Sequence, residues 1–160
     1  MNKILNSLMS LENIYLENIN TFLDCPNARS WCSLPFLEIS KQNYYLGNEC
    51  VIELYRADLQ KFPSVEELWP YLILVNFNQE GCNWNDIISD VSTYRGSFEM
   101  VNSDEFLKTY NRYSSDISDY VSIDLIGVTD SIFIINEWND VFALCKTKEF
   151  YFAFHYWTTA

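Results

Sequence analysis

The sequence predicts an α+β fold: N-terminal and central helices packed on an antiparallel sheet, with a four-stranded meander closing the chain over about residues 120–157. Three observations carry that expectation. The stretch from Tyr120 to Trp157 holds four β-rich runs, YVSIDLIG, SIFIINEW, DVFALC and EFYFAFHYW, parted by short polar breaks. Such short connections join antiparallel neighbours, because a parallel crossover needs a dozen or more residues. Upstream, apolar residues recur at helical rather than strand spacing.

In order along the chain, Ile4, Leu8, Leu11, Tyr15, Ile19 and Phe22 fall on one helical face, and Pro26 ends the region. Residues 27–42 read as irregular, with a short strand at Phe36 to Ile39. Tyr44 to Tyr55 reads as a hairpin turning at Gly47-Asn48, either extending the C-terminal sheet or forming a small one of its own. Ser64 is placed to cap a helix running through Leu68, Leu72 and Val75, with Glu66 and Glu67 at its positive end. Pro70 lies too deep for the first turn, so a kink or a late start is expected. A second helix is expected over Asn85 to Tyr94. A third begins at Ser103, with Phe106, Leu107 and Tyr110 as its apolar side.

Within the expected meander, Val121, Ile123 and Leu125 alternate with Ser122 and Asp124, a period of two that buries one face. Ile132 to Ile135 is continuously apolar, which suits a strand covered on both faces. Asn136 to Asp140 and Lys146 to Lys148 supply tight turns. The last run sets Phe150, Phe152 and Phe154 against Tyr151, His155 and Trp157.

At 160 residues the chain fits a single domain, residues 1–160, able to bury about 70% of its unfolded surface. Its net charge of −12 would repel double-stranded nucleic acid and anionic membranes, so neither is expected as a direct partner. A basic protein is the partner that such a charge attracts. The five cysteines are odd in number and lack a C-x-x-C pair, which fits reduced thiols in the cytoplasm. Asn6 and Ser7 interrupt the apolar N-terminus and Glu12 follows early, so no export signal is expected, and no 18-residue apolar run is present.

Chemistry-bearing patterns are sparse. His155 is the only histidine, the scattered cysteines lack zinc spacing, and the four glycines are isolated. The sequence therefore predicts no catalytic residue, no metal site and no cofactor. Charge placement is less ordinary. No Lys or Arg occurs between Arg112 and Lys146, while Asp116, Asp119, Asp124, Asp130, Glu137 and Asp140 all do. Trp138 lies inside that interval in a Glu137-Trp138-Asn139-Asp140 turn, and Trp84 sits between Asn83 and Asn85 with Asp86 beyond. Tryptophans dominate binding hot spots. Asp116, Asp119, Glu137, Trp138, Asp140, Trp84 and Asp86 are accordingly the expected partner-binding residues.

A small, acidic, aromatic-rich cytosolic chain with this acidic, Trp-bearing C-terminal sheet resembles bacterial immunity proteins, which neutralise the toxin domains of contact-dependent or secreted toxin systems. The resemblance implies inhibition of a basic toxin, often a nuclease, by a complementary negative surface. Two other readings stay open. An acidic nucleic-acid mimic would array carboxylates in a long stripe, and a hydrolase would hold His155 in a deep pocket against a cysteine or carboxylate. Oligomeric state is not legible.

Overall fold

The computed structural model describes residues 33–34, 39–47, 49–76 and 99–159. Seven strands form one antiparallel sheet: β1 (Ser33–Leu34), β2 (Ile39–Tyr45), β3 (Cys50–Asp58), β4 (Glu99–Val101), β5 (Thr129–Glu137), β6 (Asp140–Lys146) and β7 (Phe150–Thr158). Their spatial order is β1-β2-β3-β7-β6-β5-β4. Two α-helices accompany them, α1 (Val65–Asn76) and α2 (Ser103–Ser114), the latter continued by a 3-10 turn, Ser115–Ile117.

This corrects the expected fold class. Strand residues outnumber helical ones by about two to one, and one sheet organises the described chain. The helices expected at residues 4–22 and 85–94 lie outside the described residues. The four-stranded meander over 120–157 is also replaced. Within 120–157 only β5, β6 and β7 are strands; the fourth place, beside β5, belongs to β4 from upstream, and β7 pairs on its other side with β3.

The expected first strand of that meander is absent for a definable reason. Val121, Ile123 and Leu125 are half-buried against the core and Ser122 and Asp124 are exposed, so the alternation is real. The segment nevertheless joins no ladder. The free edge of β5 is already taken by β4, with Met100 opposite Ile132. Period-two burial specifies an extended chain on a surface; a strand needs a neighbour with unpaired backbone groups as well.

β7 is the centre of the sheet, hydrogen-bonded to β3 on one side and β6 on the other. Residues Phe150 to His155 are all buried, as a strand covered on both faces requires. One face carries Tyr151, Ala153, His155 and Trp157, which stand opposite Ala57, Tyr55, Glu53 and Val51 of β3. α1 covers part of it. Trp69 meets the Phe142 ring edge-on at 4.7 Å, and Phe62, just before the helix, packs on Tyr151, whose hydroxyl donates to the Phe62 carbonyl oxygen at 3.0 Å. The other face carries Phe152 and Phe154, which receive Phe106 and Tyr110 of α2 edge-on or tilted, with Ile52, Leu54, Val141 and Ala143 completing the cluster.

Local signals set the helix starts. The Ser64 hydroxyl accepts from the Glu67 amide at 3.2 Å, and α1 then continues through Pro70 to Asn76. Asn102 caps α2 by accepting from the Glu105 amide at 2.8 Å. The β2–β3 hairpin turns at Gly47, whose φ of 77° is left-handed and favours glycine. β2 begins at Ile39, so the region expected to be irregular up to residue 42 is partly strand.

Candidate functional site

The sheet has two ends. At one, the β2–β3 turn, the β5–β6 turn and the end of β7 come together. The Thr158 amide donates to the Asn139 carbonyl oxygen and the Thr159 amide to the Glu49 carbonyl oxygen, at 2.9 and 3.0 Å. Register places Tyr45, Val51, Trp157, Asp140 and Glu137 in one cross-strand row here. Residues directly opposite one another share a face. Trp138, in the β5–β6 turn, is 73% exposed and Tyr45 is 72% exposed. Segments 46–49, 137–140 and 157–159 contain no Lys or Arg, and Glu49 and Glu137 are exposed there.

One row deeper on the same face lies a buried charged network. His155 Nδ1 is 3.0 Å from Glu53 Oε2 and its Nε2 is 2.9 Å from Asp140 Oδ1. Glu53 also receives Lys41 Nζ on Oε1 at 2.8 Å and the Tyr55 hydroxyl on Oε2 at 3.0 Å. The Phe142 ring lies parallel to the imidazole at 4.7 Å. His155 and Glu53 are both buried.

With both carboxylates ionised, the geometry favours a protonated imidazole. A neutral imidazole has one N–H and one lone pair, so it could donate to only one of two carboxylates. Two carboxylates at hydrogen-bonding distance require two donors, hence an imidazolium. With Lys41, the network then holds two positive and two negative charges. Burial disfavours the His155 cation, but the hydrogen bonds to Asp140 and Glu53 and their charges outweigh it and raise its pKa. Burial would likewise raise Glu53, yet the hydrogen bond to His155 and the Lys41 charge hold its carboxyl down at about 2. With both ring nitrogens committed, the imidazole in this arrangement has no lone pair to offer a nucleophile.

The acidic interval expected to act together is divided. Glu137 and Asp140 lie at the tip of the β5–β6 hairpin. Asp116, in the 3-10 turn, is exposed and close enough to Tyr156 that its charge, after burial, Cys50 and Tyr113, helps to raise that phenol's pKa. Asp119 follows it and is exposed. Asp130 acts instead on Tyr151, six residues and about 20 Å further along β7 from Trp157. Asp124 lies near the same far end, where the Lys148 amide donates to the Ile126 carbonyl oxygen. Trp84 and Asp86 lie outside the described residues.

Asp140 also differs from its expected role as a free surface acid, since one of its oxygens is held by His155. Sequence reasoning passed over Lys41, Glu53 and Tyr55 altogether. A signal for Glu53 existed: a carboxylate in the middle of Val51-Ile52-Glu53-Leu54-Tyr55 must find a buried partner.

Among the described residues no group of three or more His, Cys, Asp or Glu could hold a metal ion, and no helix is long and apolar enough to cross a membrane. Cys50 and Cys145 are free thiols, and burial pushes the Cys145 thiol pKa up. Comparison with protein-family models, curated proteins and solved structures finds no match to this chain.

Proposed function

We propose that the chain is a cytoplasmic binding protein that neutralises a basic protein partner, in the manner of an immunity protein acting on its toxin. The observation that carries this reading is Trp138, 73% exposed on a short hairpin turn with Glu137 beside it. A large aromatic held in water by regular backbone offers contact area at little cost in conformational entropy. Tyr45 across the sheet end extends the same surface, and the neighbouring carboxylates favour an Arg- or Lys-rich surface over an acidic one. Exposed aromatics with acids beside them support a toxin inhibitor over a nucleic-acid mimic, because the six acids do not run as one stripe.

The test is protection. Producing the protein encoded directly upstream of this chain's gene should arrest host-cell growth, and co-producing this chain should restore it. Trp138→Ala combined with Glu137→Lys should lose protection, whereas Met100→Ala, an exposed change on β4, should keep it. Asp140→Lys is unsuitable because it would set a cation against His155. A harmless neighbour, or full protection by the Trp138/Glu137 double variant, rejects the reading.

A further inference from the structure

The His155 network is tied to the hairpin that presents Trp138. Asp140 is the first residue of β6, stands opposite Glu137, and closes the turn through Trp138 and Asn139. We propose that protonation of His155 is a switch that orders this hairpin tip: the imidazolium clamps Asp140 inward, and loss of its proton releases Asp140 and loosens the turn holding Trp138.

The groups around the imidazole decide which carboxylate lets go. From β3 come Glu53 and, through it, Tyr55; from β2 comes Lys41, also through Glu53; from β6 come Asp140 and the uncharged Phe142, over which α1 places Trp69. β5 contributes Glu137 beyond Asp140. When the ring is neutral, Glu53 still has Lys41 and Tyr55 as donors. Its side chain is 12% exposed, so leaving the site would mean breaking those bonds first. The Asp140 side chain is 33% exposed and has water at hand. The remaining ring proton therefore stays on Nδ1, facing Glu53, and the Nε2 lone pair confronts Asp140 Oδ1 at 2.9 Å. Asp140 turns out to solvent.

Loss of the His155 proton takes the net charge from −11 to the −12 that holds with histidine neutral, a small change in the attraction for a basic partner. Loosening the anchor costs preorganisation, which matters more. Affinity for the partner is therefore highest below the His155 midpoint. That consequence rests on the proposed partner-binding reading; the switch itself does not.

The test uses the full-length chain without a partner. Its single histidine gives one imidazole Cε1–Hε1 resonance in NMR, and Trp138→Phe identifies the Trp138 indole N–H signal. The His155 midpoint should lie above that of the same chain unfolded in urea, and the Trp138 signal should move with that midpoint. Asp140→Asn should lower the His155 midpoint and suppress the movement of the Trp138 signal, because the amide can hydrogen-bond the charged or the neutral ring. A His155 midpoint at or below the unfolded value overturns the proposal, as does a Trp138 signal that stays fixed through the His155 transition. Neither outcome touches the protection test, which can succeed or fail independently.

Discussion

Replacing Glu53 by Gln removes one charge from the buried network while keeping its size. The native environment takes the Glu53 carboxyl from its ordinary value of 4.5 down to about 2. At about 1.4 kcal/mol for each tenfold change, that displacement corresponds to about 3 kcal/mol of stability at neutral pH. The sign follows from its direction. A depressed carboxyl contributes in full above its unfolded pKa and loses the contribution as pH falls towards the folded one. Urea denaturation at about pH 7 should find Glu53→Gln less stable than the parent by about 3 kcal/mol, a fall in Tm of about 6–12 °C. Near pH 2 the same comparison should give less than about 1 kcal/mol, since Glu53 itself is then half protonated. Acid acts alike on the carboxylates outside this network in both proteins, so the difference reports the network centred on Glu53. A gap of equal size at both pH values would refute the electrostatic reasoning, and a gap under about 1 kcal/mol at neutral pH would show that the network adds little.

Two further stability changes have different causes. Trp69→Ala should cost about 3–5 kcal/mol, because a side chain only 1% exposed leaves a cavity over Phe142, and thermal unfolding would read the loss directly. Asn102→Ala should cost about 1 kcal/mol through the Glu105 amide it no longer caps, seen as a lower urea midpoint with an unchanged slope.

Local chemistry was the most readable layer. The helix start at Ser103, its acidic first turn and its apolar side Phe106, Leu107 and Tyr110 follow from spacing alone; the structure buries Phe106 and Tyr110 and leaves Leu107 half-buried. The hairpin turn expected over Asn136 to Asp140, which the structure narrows to Trp138-Asn139, the tight β6–β7 connection and the two faces of β7 were also legible, because short polar breaks between apolar runs leave the chain few alternatives. The failure at residues 121–125 is instructive: alternation reports which side chains are buried, and says nothing about whether a backbone partner is free.

The sequence by itself determined the chain's acidity, the two faces of its last strand, and the placing of Trp138 in a turn between carboxylates. Those properties belong to single segments, where composition and period suffice. Only the tertiary structure decided that β3 adds itself to β7, and with that pairing it brought Glu53 to His155, 102 residues apart. The same assembly divided the acidic interval between opposite ends of the sheet and took Asp140 partly out of solvent. Charges in sequence are counted along a line; their interaction falls off with distance in space and strengthens with burial, and both are set by which strands lie side by side.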